Sequence, residues 1–296
     1  MPLPIISAEQ RMSERHGIKG CIFGKSGIGK TSLLWTLPAE KTLFMDLEAG
    51  DLAIEGWQGN TIKPRTWQEC RHYAVFIGGP NPAAVEGAYY SQKHFDGVCK
   101  LYGSVDDLGI YETIFIDSIT VAARLCFAWC KNKYTTKDKQ GEYIIDLRNA
   151  YGLHAQEMMA WITHLQHVKN KNLWFVGILD EKLNDNKQKF YELQIEGSKT
   201  GLQLPGIVDQ VITMAETTEK DGYGKAIKSS RVFVCHTINP EGYPAKDRSG
   251  RLDCTEEPDL GRLMDKIRSQ KPPSWQLTYT SSCDKQSDNP ADAEGE

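Results

Sequence analysis

No run of apolar residues in the 296-residue chain approaches the roughly 18 needed to cross a bilayer, so no membrane partner is expected. The start, MPLPIISAEQRMSERHG, lacks the basic lead and continuous apolar stretch of a secretory signal, which points to a cytoplasmic protein. Eight cysteines are scattered at 21, 70, 99, 126, 130, 235, 254 and 283 without a CxxC pair, which argues against a zinc ribbon or a redox dithiol. Cys126 and Cys130, four apart in a helical pattern, read as small buried hydrophobes. No internal repeat is apparent, and no N-K-x-D guanine-recognition motif is present. The body of the chain also lacks net charge. Residues 281–296 hold five acids and one base and so carry the whole net charge of −4, leaving 34 bases and 34 acids before them. Any basic binding surface must therefore be local.

What is there is ordinary globular material, 40% hydrophobic and 25% charged, long enough for one large or two smaller domains and a sizeable core. Short apolar runs read as strands at 18–23, 42–46, 113–117, 173–179, 208–214 and 231–237. Helices are expected at 32–37, 67–76, 86–102, 119–131, 149–168 and 257–268. A GGPNP turn falls at 78–82, a hairpin turn at 184–186, and Gly222 and Gly224 mark a further turn. Strands alternating with helices, then a run of strands, predict an α/β fold with a mainly parallel central sheet flanked by helices and antiparallel strands at the C-terminal side. The expected organisation is an arm over 1–16, a core over 17–270, and a linker with a disordered acidic tail over 271–296.

The first strand runs directly into Gly24-Lys25-Ser26-Gly27-Ile28-Gly29-Lys30-Thr31, which matches G-x-x-x-x-G-K-[ST] with a strand before it and a helix after. Glycines let the backbone curl until successive N–H groups converge on phosphate oxygens. Lys30 reaches the β- and γ-phosphates in this motif, and the Thr31 hydroxyl ligates Mg2+. A second carboxylate for the metal shell should come from the end of a neighbouring buried strand. Asp117, closing TIFID, fits that place; alternatively it caps the helix starting at Ile119. The second strand ends FMDLEAGDL, which places Asp46 and Glu48 near the same edge.

The order of P-loop, hydrophobic strand with D-x-E, and hydrophobic strand ending in Asp resembles the RecA family, a P-loop NTPase class with a RecA-like core. The resemblance implies that Glu48 positions the attacking water; otherwise Glu48 is a solvated loop acid. Lys246-Asp247-Arg248, late in FVCHTINPEGYPAKDRSG, is similar to the K-x-R with which RadA- and DnaB-type members reach a neighbour's γ-phosphate, a role to weigh against two solvated loop charges. Over residues 17–268 the chain resembles the phage-encoded RecA-type ATP-binding proteins of single-strand annealing recombination. The stretches that carry this are LFMDLEAGDL, TIFIDSIT, Val208-Asp209-Gln210-Val211 and AKDRSG followed by EEPDLGRLMDKI. Two departures stand out. WFVGILDEK offers Leu179 and Asp180 where the family has a polar sensor, and the roughly 17 residues before the first strand are too few for an N-terminal accessory domain.

The resemblance also places DNA contacts in loops at about 131–148 and 181–200. The first holds Lys131, Lys133, Tyr134, Lys137 and Lys139, a set suited to tracking a phosphate backbone with one stacking ring. Asp138 and Glu142 dilute it to a net +2 over 131–142, and a solvated basic loop is the alternative. The second holds Lys182, Lys187, Lys189, Phe190, Tyr191 and Lys199. The tail either competes with DNA for these loops, recruits a partner, or only solubilises. The implied activity is Mg2+-dependent ATP hydrolysis on single-stranded DNA by a homo-oligomer, filament or ring, working with a single-strand binding protein. An ATP-gated DNA-binding or adaptor module with negligible turnover, or a replicative helicase or loader, are the alternatives.

Overall fold

The computed structural model describes residues 5–14, 16–137, 139–183, 187, 189–220 and 226–269. At its centre lies β1 (Lys19–Gly24), buried along its whole length. Cys21 and Phe23 face one core and Ile22 the other, the period-two alternation of a strand covered on both faces. The other strands are β2 (Thr42–Asp46), β3 (Asn60–Ile62), β4 (Thr113–Asp117), β5 (Thr135–Lys137), β6 (Tyr143–Ile145), β7 (Asn172–Leu183), β8 (Lys189–Leu193), β9 (Gln210–Lys220), β10 (Ala226–Val234), β11 (Lys246–Asp247) and β12 (Thr255–Glu256). The helices are α1 (Ala8–Ser13), α2 (Trp67–Gly78), α3 (Gln92–Tyr102), α4 (Ile119–Lys133), α5 (Leu147–Gln166), α6 (Ser198–Ile207) and α7 (Leu260–Arg268).

The main sheet runs β12-β10-β9-β1-β7-β4-β2-β3, with β8 beside β7 and β11 beside β9. From β9 to β3 neighbouring strands are parallel, whereas β8, β10, β11 and β12 join antiparallel. This is a mainly parallel α/β sheet with antiparallel additions, the RecA-like P-loop architecture. α2, α4 and α5 cover one face around Trp67, Trp161 and Phe175. α7 and the segment after the P-loop cover the other around Leu34, Phe44 and Trp174. A buried ion pair, Arg71 to Glu157 at 3.1 Å, ties α2 to α5; the Trp67 indole also donates to Glu157, so neither charge is left uncompensated.

Several local expectations are corrected. Residues Thr31–Thr36 form a two-turn 3-10 helix rather than an α-helix, and Pro38, which has no N–H to donate, keeps it short. The helix expected over 86–102 starts only at Gln92: Gly87 and Tyr90 have φ near +80° and +67°, and the Ser91 hydroxyl accepts from the His94 N–H as its cap. The lysine-rich stretch expected as a loop begins inside α4, whose last turn holds Lys131 and Lys133, and its remainder closes into the β5–β6 hairpin. α6 carries Gly201, Pro205 and Gly206, residues of low helix propensity that hid it from periodicity. β7 and β8 pair where a hairpin is expected, but its turn 184–186, the turn at Gly222 and Gly224, and the tail 271–296 lie outside the described residues. Among the described residues no helix is long and apolar enough to cross a membrane.

Two glycines should respond with opposite signs. A Cβ on Gly20 would lie 2.3 Å from the Trp174 ring, whereas one on Gly97, within α3, meets nothing within 4 Å. Gly20→Ala is expected to lower the unfolding free energy by about 1–3 kcal/mol and Gly97→Ala to raise it by about 0.5–1 kcal/mol, as read from urea denaturation.

Candidate nucleotide-binding site

All the parallel strands deliver their carboxyl ends to one edge. β1 ends there at Gly24, level with Ile178 of β7, and the P-loop follows. Asp46 and Asp117 close β2 and β4 in register with each other. Because β7 lies between β1 and β4, the P-loop must span two strand spacings, roughly 10 Å, to meet Asp117. It does so through Thr31, whose hydroxyl donates to Asp117 Oδ2 at 2.5 Å. The Lys30 ammonium folds back into the loop and donates to the carbonyls of Gly24 and Lys25, each at 2.9 Å. Gly27 and Gly29 take φ of +79° and +98°, the left-handed region the loop requires of glycine.

Asp117 is almost wholly buried. It does not cap α4: the Ser118 hydroxyl takes that role, accepting from the Val121 N–H at 3.3 Å. The same hydroxyl donates to Glu48 Oε1, so it fixes an otherwise exposed carboxylate beside the Thr31–Asp117 pair. Burial pushes the Asp117 carboxyl up to about 6; the Thr31 hydroxyl and Lys30 oppose the shift, and Glu48 and Asp46 add to it. Burial likewise pulls the Lys30 ammonium down, against the attraction of Asp117 and Glu48. Asp46 is fully buried. Its Oδ1 accepts from the Gly50 N–H at 3.2 Å, while Oδ2 has no hydrogen bond and lies 3.7 Å from the Lys63 ammonium. A hydroxyl and a carboxylate oxygen side by side, with two further carboxylates nearby, form the hard-oxygen donor set that Mg2+ prefers. Thr31 and Asp117 therefore fit as its protein ligands.

Ser118 and the depth of Asp46 escaped the sequence reading, although a serine directly after a strand-ending aspartate is a legible capping signal.

Lys246 and Arg248 are not brought to this edge. β11 pairs with Val211 and Gln210 of β9, which are level with Cys21 and Gly20, near the start of β1. The Lys246 ammonium donates to the carbonyls of Pro205 and Val208, each at 2.8 Å, at the end of α6. Arg248 pairs with Asp209 at 2.7 Å. In their own chain both are engaged at the sheet edge opposite the P-loop.

The basic loops divide. In the second, Lys182 pairs with Glu192 and Lys189 with Glu181, at 2.5 and 2.7 Å. In the first, Lys131, Lys133 and Lys137 make no ion pair among the described residues and lie over the rings of Phe127, Trp129 and Tyr143, at 5.0, 5.3 and 5.0 Å. Lys139 is exposed in the turn. Tyr134 is half-buried against the core, and Tyr143, directly across from Lys137, is the ring that faces solvent, at 70% exposure. α5 leads from this hairpin to the amino-terminal edge, where β7 begins. A 20-residue helix spans about 30 Å, so the hairpin lies toward the P-loop edge.

β1 stops at the P-loop, but its neighbours β7 and β9 run on with their partners β8 and β10 as two ribbons flanking it. Between them a cavity of about 390 Å³ is lined by Ser26, Leu179, Tyr191, Glu216 and Tyr243. A larger, mainly apolar cavity of about 1120 Å³ opens among Phe76, Tyr90, Phe95 and His164 toward the other edge. None of the P-loop residues lines it, whereas Lys25, Ser26, Gly27 and Ile28 line the smaller one.

Fold and loop together define a P-loop nucleotide-binding protein with a RecA-like core. Residues 16–249 match the family described as AAA domain, and the chain belongs to that family. No match is found among curated proteins. Among solved structures the chain is similar to the crystal structure of the RadB recombinase, at 13% identity and a TM-score of 0.34, covering 78% of this chain and 86% of that one.

The raised Asp117 pKa has a definite sign. The folded protein, free of nucleotide and metal, binds more protons than the unfolded chain between the ordinary carboxylate value and about 6, so its stability falls as pH rises through that window. Asp117→Asn is expected to stabilise the nucleotide-free, EDTA-treated protein at pH 8, by about 3 kcal/mol at most, and much less at pH 5, as read from thermal melts at the two pH values. Equal shifts at the two pH values would contradict this account of Asp117.

Proposed function

We propose that the protein is a Mg2+-dependent ATPase that acts on single-stranded DNA in recombination or strand annealing, of the kind phage genomes encode, and works as a homo-oligomer. The observation that carries this reading is the junction of Thr31 with the buried Asp117 across β7, with Lys30 in the loop and Glu48 held beside it by Ser118. Loop N–H groups and Lys30 bind the β- and γ-phosphates. Thr31 and Asp117 hold Mg2+, which when bound neutralises charge on the phosphate oxygens. Glu48 orients water and accepts its proton, and Ser118 fixes the direction in which that carboxylate points.

Lys131 and Lys133 in the last turn of α4, Lys137 and Lys139 in the β5–β6 hairpin after it, and the exposed Tyr143 favour the first basic loop as the DNA contact, with a single-strand binding protein as a further partner. Completion of the site by a neighbour's Lys246 and Arg248 requires both to give up the partners they hold in their own chain. An Arg248→Ala protein with full turnover would remove that residue from the reading.

Purified full-length protein should turn over ATP, with and without single-stranded DNA present. Lys30→Ala should abolish nucleotide binding, and Glu48→Gln should lower turnover by about 10²–10⁴-fold while ATP-dependent DNA binding persists. Wild type that binds ATP and DNA without turnover is instead an ATP-gated binding module. If the four lysines touch DNA phosphates, log affinity should fall against log salt with a slope near −3, roughly 0.7 per contact. A flat salt response would take DNA away from the end of α4 and this hairpin.

A further inference from the structure

The cradle is rich in carboxylates, and a triphosphate brings several more negative charges to it. Apart from Lys30, the cations at this edge are mostly engaged. Lys25 pairs with Glu181 at 3.7 Å, Lys63 lies against Asp46 and Asp51, and Arg124 donates to Gln194 at 3.3 Å. Leu179 and Asp180, at the end of the buried part of β7, supply no positive sensor.

One cation lies directly against the P-loop and has no partner among the described residues. Val234 of β10 is level with Thr213 of β9, and Thr213 with Phe23 of β1, so Arg231 stands three residues further along, over the loop. It shares its sheet face with Phe233, the face covered by the segment that follows the P-loop. A Cβ built on Gly29 would lie 2.6 Å from one terminal nitrogen of Arg231 and 3.4 Å from its guanidinium carbon. Gly29 is therefore required twice, by its φ of +98° and by the side chain resting on it. Arg231 is exposed and makes no hydrogen bond or ion pair among the described residues, not even with Glu216 opposite it in β9.

We propose that Arg231 is a phosphate-binding residue that each chain supplies to its own nucleotide, its guanidinium swinging from Gly29 onto an oxygen of the bound triphosphate. An exposed, unpaired guanidinium gives up little to make that contact, and its planar fork suits phosphate oxygens better than a lysine would. The inference rests on the ATP-binding reading above and assigns the needed positive charge within one chain rather than to a neighbour.

Binding of a fluorescent nonhydrolysable ATP analogue with Mg2+ tests it on the full-length chain, using wild type, Lys30→Ala, Arg231→Ala and Arg231→Lys, with thermal melts as the check on folding. Arg231→Ala should weaken the analogue at least tenfold with an unchanged melt, and Arg231→Lys should recover part of the loss. Wild-type affinity in Arg231→Ala, where Lys30→Ala has lost binding, overturns this inference and leaves the ATP reading standing. A wild type that does not bind the analogue overturns both. Mixing Arg231→Ala with Lys30→Ala subunits separates own-chain from neighbour action. No recovery of tight binding supports the assignment to the same chain, and recovery overturns it.

Discussion

The contact between the Thr31 hydroxyl and the Asp117 carboxylate is the constraint on which the site depends. It joins the ends of two strands that are not neighbours, so it holds only if β1 and β4 stop at nearly the same height along β7, which lies between them and runs on. Their register supplies that alignment. Gly24 is level with Ile178, and Asp117 with Val176, two residues apart along β7, so the loop has only to cross β7 sideways to meet Asp117. Gly177 helps by being small: a side chain there would press at 3.1 Å on both Phe23 and Ile119. A buried carboxylate facing two other acids is costly in an apolar interior. It is offset by a hydroxyl and an ammonium that the same loop brings. Thus the fold holds an anionic centre whose remaining charge a divalent cation would compensate.

The opposite edge shows how a family-like motif can be absorbed into architecture. Lys246 satisfies carbonyls at the end of α6, where a cation interacts favourably with the helix terminus, and Arg248 neutralises Asp209. Asp209 in turn meets the backbone of Lys19 at the start of β1. The three residues therefore knit the beginning of the central strand to the late antiparallel segment. A charged triplet in sequence carries no information about which end of a sheet it will occupy, and here pairing of β11 with the first residues of β9 decides it.

Most of the phosphate cradle was legible because its requirements are local: a glycine pattern, a lysine and threonine at its end, and apolar runs that stop at Asp46 and Asp117. Strand positions followed for the same reason, since β2 and β4 are continuous buried runs bounded by polar residues. What was not legible depends on long-range pairing. The β5–β6 hairpin has a polar strand and no two-residue turn signal, and α6 contains a proline and glycines that a neighbouring fold tolerates. Tyr143 rather than Tyr134 faces solvent because the end of α4 turns Tyr134 onto the core, which spacing alone does not reveal. Ser118 and Arg231 lie against residues 70 and about 200 positions away, beyond any local pattern.

β9 is a single continuous strand from the residue beside Gly20 to Lys220. Its first part is locked in the core and its last part stands free of β1, like a beam clamped at one end. Six residues of overhang extend about 20 Å, so a tilt of about 10° at the clamp sweeps the tip through roughly 3 Å. Small adjustments of backbone beside the P-loop would thereby be geared up into larger displacements at the tip of the ribbon.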